Sequence, residues 1–524
     1  MRIIVCDPIA SDGVELLRTQ ADVDVRVGLT AEVLESVIGE YDAAVVRSET
    51  KITARILAAG SRLKVVGRAG VGIDNIDVEA ATQHGIVVVN APTGNNIAAA
   101  EHAIALMFSL ARRIPQAHAS LKAGKWERSK FMGTELRSKT LGVIGLGKIG
   151  TAVARRALGL EMKVLGFDPF ISPEHARSIN VQLVSLDELL RNCDFITIHT
   201  PLTSSTRNLI GARQFTMMKP TACIVNTSRG DIIEEHALYA AVEEGQIAGA
   251  AIDVFVEEPA TNSILLKSNK IVVTPHLGGS TKEAQVSVAV DVADQILAVL
   301  DGKPARYAVN LPMIPPESLS FLTPYMLLGE KLGELATQLT DGQLDTTTII
   351  CSGDIAQHDT TPLTAAVIKG LLRPVSEEQV NLVNARLIAR NRGLNIIEQK
   401  GSVGEVSHGS LIAVNVSTSA GLTSVAGTMV RGEPHIVQVD GYWVDLVPSG
   451  YTLLSHHRDR PGIIGAVGVL LGSHDINISS MQVGRMQKRG PALMVLGLDE
   501  HIDEEVLAQI RAIPDIHTAK VVSL

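Results

Sequence analysis

Residues 140–150 read TLGVIGLGKIG, and this stretch constrains the chain more than any other. An apolar strand, TLGVI, runs straight into Gly145-x-Gly147-x-x-Gly150, and a helix-forming run, TAVARRALGL, follows. Strand, glycine loop and helix in that order form a dinucleotide-binding turn. Gly145 permits the tight turn, Gly147 lets backbone approach a pyrophosphate, and Gly150 lets the helix pack against the strand, with its N-terminus facing the phosphates. Asp168 ends the next strand, MKVLGFD. A carboxylate there accepts hydrogen bonds from both adenosine ribose hydroxyls and repels a 2′-phosphate, so NAD is expected rather than NADP. The loop starts only after well over a hundred residues have passed, so something else is built first.

The preceding residues show what that is. RIIVC, VDVRV, AAVVR, LKVVG and IVVVN are strand-like, with SDGVELLRTQ and AEVLESVIGE helix-like between them. Such alternation predicts an α/β unit with a mainly parallel sheet covered on both faces. Asn96–Arg113 is an Ala-rich helical run with almost no polar face, expected to be buried at a domain or subunit junction. After the glycine loop a second series follows, with strands MKVLGFD, DFITIHT, CIVNTS, GAAIDVF and KIVVTP. A long helix over 280–302 closes it, opened by a Ser-Thr-Lys-Glu capping box and stopped by Gly302. LPMIPP at 311–316 reads as a proline-rich hinge, and 317–450 as a mixed α+β region without a catalytic constellation. From Tyr451 the pattern is βαββαβ, the ferredoxin-like order. Its first helix is expected to hold Pro461 in its first turn and to bury Ile463, Ile464, Val467, Leu470 and Leu471.

Composition narrows the class. A chain of 524 residues is expected to form about three or four domains. Hydrophobic residues make up 46% and charged residues 20%, ample for several cores. The net charge of −9 argues against nucleic acid as a partner. No apolar run approaches the roughly 18 residues needed to span a bilayer, and MRIIVCDPIA lacks a signal-peptide core. Cys6, Cys193, Cys223 and Cys351 are scattered in apolar runs, so buried free thiols are expected, without disulfides or a metal site, in the cytoplasm.

Chemistry is concentrated in three strand-end segments, VNTSRGDII, AIDVFVEEP and VVTPHLGGS. Strand carboxyl ends line the crevice of a doubly wound sheet, so Arg229, Asp253 and His276 are expected to converge there. Oxidation of a 2-hydroxy acid needs a hydride acceptor, a cation for the carboxylate and a base for the hydroxyl proton. Arg229 suits the cation, since its planar fork stays charged and binds a carboxylate in two places. His276 suits the base, and Glu258 is the candidate to orient its imidazole.

Those motifs, in this order and spacing, resemble the D-isomer-specific 2-hydroxyacid dehydrogenases. VVGRAGVGIDNID and GKWERSKFMGTEL are most similar to the branch of that family that oxidises 3-phospho-D-glycerate to 3-phosphohydroxypyruvate, the first step of L-serine synthesis. The resemblance implies two Rossmann-like domains, with a cofactor domain (96–282) inserted into a discontinuous substrate domain (1–95 and 283–306). An intervening regulatory domain (317–450) and a C-terminal amino-acid-binding ACT domain (451–524) follow. It implies Arg229, Glu258 and His276 as catalytic residues. The implied NAD contacts are Gly145, Gly147, Lys148, Ile149, Gly150, Asp168, Thr200, Thr227, Ser228, Arg229, Asp253, His276, Leu277, Gly278 and Gly279, with Asp253 near the nicotinamide amide. Arg47, Arg68 and Arg128 are the implied substrate arginines, although Glu49 stands where some members carry a second basic residue. His457, Asp459 and Asn477 are the implied L-serine ligands, at an interface between two ACT domains, and a homotetramer is expected. Another D-2-hydroxyacid dehydrogenase, or a non-enzymatic NAD-sensing co-repressor of the same fold, stays open as an alternative.

Overall fold

The computed structural model describes residues 1–312, 316–401 and 409–524. Residues 313–315 of the proline-rich LPMIPP stretch therefore lie outside the described residues. The first sheet comprises β1 (Arg2–Val5), β2 (Asp22–Val25), β3 (Ala43–Val46), β4 (Val65–Arg68) and β5 (Val87–Asn90) in the order β2-β1-β3-β4-β5. Every pairing in it is parallel. Strands buried on both faces must be apolar at successive positions, and β3 (AAVV) is buried at all of them.

The second sheet comprises β6 (Thr140–Ile144), β7 (Lys163–Phe167), β8 (Gln182–Leu183), β9 (Phe195–Ile198), β10 (Cys223–Asn226), β11 (Gly249–Ile252) and β12 (Ile271–Val273). Its order is β12-β11-β10-β9-β6-β7-β8, again all parallel. The two-residue β8 has too little sequence pattern to be foreseen. The chain runs outward from β6 through β7 to β8, then returns to β9 on the other side of β6. That reversal opens a crevice at the carboxyl end of β6, where the glycine loop lies.

The Lys282–Leu300 helix follows the second sheet but packs on the first, where Val288, Val292, Ala293 and Ile296 join Ile3, Val5, Val45 and Val65 in one core. Thr281, rather than Ser280, caps it by accepting a hydrogen bond from the Ala284 amide, and with Ala284 at the third helical position the expected reciprocal capping box with Glu283 does not form. The Asn96–Arg112 helix buries Ala99, Ala100, Ala103, Leu106, Met107 and Ala111 within the second body. Its opposite side is not buried in the monomer: Ile97 and Phe108 are exposed.

In the third sheet, β13 (Leu344–Gly353), β14 (Asn395–Gly401), β15 (Ser410–Thr418), β16 (Gly421–Val430), β17 (Glu433–Val439) and β18 (Tyr442–Leu446) run in the order β14-β13-β15-β16-β17-β18. The fourth holds β19 (Tyr451–Arg458), β20 (Ile478–Arg485), β21 (Pro491–Leu498) and β22 (Ile516–Ser523) in the ferredoxin-like order β20-β21-β19-β22. The two sheets share one core, since Leu454, Val495 and Val522 pack with Leu328, Leu332 and Leu335 of the Pro316–Leu339 helix.

The helix after β19 starts at Ile463, with Gly462 as its cap in a left-handed conformation. Pro461 therefore precedes the helix instead of occupying its first turn. Ile463, Val467 and Leu471 are buried, Leu470 is half-buried and Ile464 is exposed, so the apolar face is narrower than expected. All four cysteines are free thiols, three buried and Cys223 half-buried. No helix among the described residues is long and apolar enough to cross a membrane.

Candidate active site

Strands β10, β11 and β12 are adjacent and in register, Asn226 beside Ile252 and Ile252 beside Val273, so the segments leaving them share one edge. Each segment is fixed locally. Buried Asn226 donates from Nδ2 to the Arg229 carbonyl (2.8 Å), and its Oδ1 accepts from the Ser228 amide (3.1 Å), knitting the Ser-Arg-Gly turn. A Cβ on Gly230 would stand 2.0 Å from the Phe255 carbonyl carbon, so only glycine lets this turn press against the end of β11. The turn aims Arg229 outward. Its Nε donates to Asp74 of the first body (3.1 Å) and its Nη1 to the Ser228 carbonyl (2.7 Å).

His276 Nδ1 lies 2.8 Å from Glu258 Oε2, while Glu258 Oε1 accepts from the Phe255 amide at 3.1 Å. Partial burial would raise the Glu258 carboxyl, but His276 and the Phe255 amide together outweigh it and hold the group below its ordinary value. Asp253 is fully buried. It accepts from the Leu277 amide (2.7 Å), the Gly278 amide (2.8 Å) and the Thr274 hydroxyl (2.6 Å).

The first body supplies the facing wall. Arg47, Ser48, Arg68 and Gly70 line a small cavity with Asn95, His276 and Ser280. Buried Asp7 positions Arg47 by accepting from its amide (2.6 Å) and from the Thr50 hydroxyl (2.5 Å). Arg68 Nε donates to Asn75 Oδ1 at 3.2 Å. Burial pulls its guanidinium down to about 10, and repulsion from Arg229 and Arg47 acts in the same direction. A crowded, partly desolvated cationic wall of this kind is relieved by an anionic ligand. Asp7, Asp74 and Asn75 were not among the expected site residues, because nothing in their local sequence distinguishes them. Arg128 does not join this wall; it is exposed on the short Arg128–Phe131 turn.

The dinucleotide loop fits its group. Gly145 has φ +88, and a Cβ there would lie 2.7 Å from the His199 carbonyl oxygen. Gly147 faces open space within 4 Å, while a Cβ on Gly150 would fall 1.9 Å from the Gly145 carbonyl. Buried Thr200 and Thr227 hydroxyls have no partner among the described residues, which suits a polar ligand between them. Asp168 accepts from the Leu146 amide (2.8 Å) and the Phe170 amide (2.9 Å), one on each oxygen, leaving a second lone pair on each for ribose hydroxyls. Lys148 and Ile149 open the Lys148–Gly159 helix beside it.

The three expected effector residues do not meet within one chain. His457 is the penultimate residue of β19 and is buried, whereas Asn477 immediately precedes β20. Both strands run antiparallel to β21, hence parallel to each other, and the register places Tyr451 and Ile478 at the same end, opposite Leu498. His457 and Asn477 are therefore about 20 Å apart along the sheet. Asp459 is already engaged, accepting from Arg485 Nη1 (2.9 Å) and the Arg489 amide (3.3 Å). Asn477 Nδ2 donates to Asp499 (2.6 Å).

An NAD fold whose crevice joins a His–Glu pair to a cationic wall defines a D-isomer-specific 2-hydroxyacid dehydrogenase. Residues 104–278 match the NAD-binding domain of that family, residues 321–440 the D-3-phosphoglycerate dehydrogenase intervening domain, and residues 451–515 the ACT domain. The chain is 49% identical to D-3-phosphoglycerate dehydrogenase of Synechocystis, across 100% of this chain and 95% of that one. It is 46% identical to the enzyme of the same name from Methanocaldococcus jannaschii, across the full length of both. Among solved structures, apo D-lactate dehydrogenase from Escherichia coli aligns with a TM-score of 0.54 at 27% identity, covering 59% of this chain and all of that one. The chain belongs to the D-3-phosphoglycerate dehydrogenase family.

Proposed function

We infer that the chain is an NAD-dependent enzyme oxidising 3-phospho-D-glycerate to 3-phosphohydroxypyruvate, with residues 96–282 holding the cofactor and 1–95 with 283–306 holding the substrate. NAD, when bound, accepts hydride from the substrate carbon. His276 takes the hydroxyl proton, and Glu258 orients the imidazole and balances its charge. Arg229 binds the substrate carboxylate and polarises the carbonyl in the reverse direction, while Arg47 and Arg68 attract the phosphate. The observation that carries this reading is the 2.8 Å His276–Glu258 pair, whose histidine lines a cavity together with Arg47 and Arg68. The test is NADH consumption with 3-phosphohydroxypyruvate; activity lost when the phosphate is retained but present on phosphate-free 2-oxo acids would favour a different D-2-hydroxyacid substrate.

Cofactor choice is assigned to Asp168. Asp168→Ala is expected to weaken NAD binding about tenfold or more and to relax discrimination against NADP. Titration by quenching of protein or NADH fluorescence checks it, and an unaltered NAD/NADP ratio would remove Asp168 from the assignment.

The ACT domain is assigned as an L-serine sensor, with His457 and Asp459 of one copy facing Asn477 of another, in a cytoplasmic homotetramer. The separation of His457 and Asn477 in one chain supports a site built from two copies, and exposed Ile97, Phe108 and Leu121 support association through the dehydrogenase body. L-serine is expected to inhibit the full chain and not a chain ending near Leu311. Solved relatives that match 59% of this chain over all of their own length favour independent folding of that shorter form. Serine-insensitive turnover of the full chain, with no heat of serine binding, would leave the tail a structural module.

A further inference from the structure

The loop that carries His276 is held from behind by Asp253, a fully buried carboxylate. His276 has φ +53, a left-handed conformation that non-glycine residues rarely adopt. Its own amide donates to the Asp253 carbonyl at 2.8 Å, and the next two amides, Leu277 and Gly278, donate to the Asp253 carboxylate. Asp253 thus grips three successive amides and imposes the turn that points the imidazole at Glu258. A fully buried carboxylate can do this only while it stays ionised, because protonation would remove acceptor capacity from the atoms in use. Burial opposes ionisation, and further donors must offset it.

Two donors are present. The Thr274 hydroxyl donates to Asp253 Oδ1 at 2.6 Å, and His102 Nε2 lies 3.1 Å from the same oxygen and 3.2 Å from Thr274 Oγ1. Since the threonine proton goes to the carboxylate, Nε2 must carry its own proton toward this pair. His102 projects from the Asn96–Arg112 helix, with a side chain only 19% exposed. That helix also backs the loop directly: a Cβ on Gly279 would lie 2.8 Å from Asn95 Nδ2, and one on Gly278 would touch Ala99 at 3.9 Å.

We propose that His102 is a positioning residue: its Nε2–H, shared by Asp253 and Thr274, clamps the 276–279 loop to the Asn96–Arg112 helix and so sets the aim of His276. The proposal rests on the reading of His276 as the acid/base group. No proton passes between His102 and substrate; its effect is exerted through Asp253 and the loop amides.

The test compares His102→Leu, which cannot donate, with His102→Gln, whose amide can place an N–H at similar reach. Turnover is measured as NADH consumption with 3-phosphohydroxypyruvate, and NADH affinity and site number by fluorescence titration. His102→Leu is expected to lower kcat about 10- to 50-fold, with NADH affinity within about threefold of the parent. His102→Gln is expected to return kcat to within about threefold. A Leu variant with kcat within twofold of the parent overturns the proposal. So does a Gln variant as slow as the Leu variant, or a loss of NADH affinity equal to the loss of kcat. If His102→Leu does not fold, Thr274→Val withdraws the other donor from the same oxygen. It should lower kcat in the same manner, and an unchanged kcat there counts against the clamp. His276→Asn, assayed alongside, separates the two levels. Retained turnover in that variant sinks the acid/base reading itself, whereas an inactive His276→Asn with an unaffected His102→Leu sinks only the clamp.

Discussion

His276→Asn should lower kcat by about three orders of magnitude while leaving NADH binding nearly intact. The imidazole is placed for one job: its Nδ1 is committed to Glu258 at 2.8 Å, which leaves the other ring nitrogen for the substrate, and the residue lines the cavity. Asparagine keeps a polar side chain of similar size but cannot take up a proton, so positioning survives and acid/base transfer does not. Glu258→Gln should cost less, because it removes the charge that balances the imidazolium but leaves the imidazole itself. The measurement is single-turnover NADH oxidation with 3-phosphohydroxypyruvate, read beside a fluorescence titration of NADH. A His276→Asn variant turning over within tenfold of the parent would show that another group moves the proton.

Arg229→Ala should reduce kcat/KM for 3-phosphohydroxypyruvate by a comparable amount, about three orders of magnitude, since two charge-assisted hydrogen bonds to one carboxylate are lost together. Its loss should not be made good by Arg229→Lys. A lysine ammonium is a point charge without the planar fork, and Asp74 would compete for it from the side where it now meets Nε at 3.1 Å. Steady-state kinetics over a range of substrate concentrations would check this. Arg229→Lys restoring more than a tenth of the parent kcat/KM would mean that charge alone suffices. NADH affinity should change little, because the guanidinium reaches across to the first body rather than down into the dinucleotide loop.

What could be read from the residues depended on whether a physical demand is written locally. Gly145 and Gly150 are each required by a backbone position and Gly147 keeps clear the space a pyrophosphate would take, so identity and spacing alone announce the loop. The strand-end segments with Arg229, Asp253 and His276 were legible because parallel β-branched runs place their carboxyl ends together. Asp7, Asp74 and Asn75 were not, because each holds an arginine that lies elsewhere in the chain, and that pairing exists only after the loops have folded. His102 is a further instance: one histidine in an Ala-rich helix carries no signal until Asp253 is brought against it. The distance between the expected serine ligands within one chain was likewise not legible. His457 and Asn477 were read by position in a motif, while their distance depends on the relative direction of β19 and β20, which only the sheet order reveals.

The chain passes between the first two bodies twice, once between β5 and the Asn96–Arg112 helix and once between β12 and the Lys282–Leu300 helix. A body tethered at a single point can swivel in any direction, but one tethered at two points is confined to rotation about the line through them. Both crossings flank the cavity, the first beside Asn95 and the second beside Gly279 and Ser280. Opening and closing therefore amount to a door on two hinges, with one degree of freedom. Along that single path Arg47 and Arg68 travel toward or away from His276 and Arg229 as a set, so the cleft can admit substrate widely and still return the three arginines and the imidazole to one arrangement at each closure.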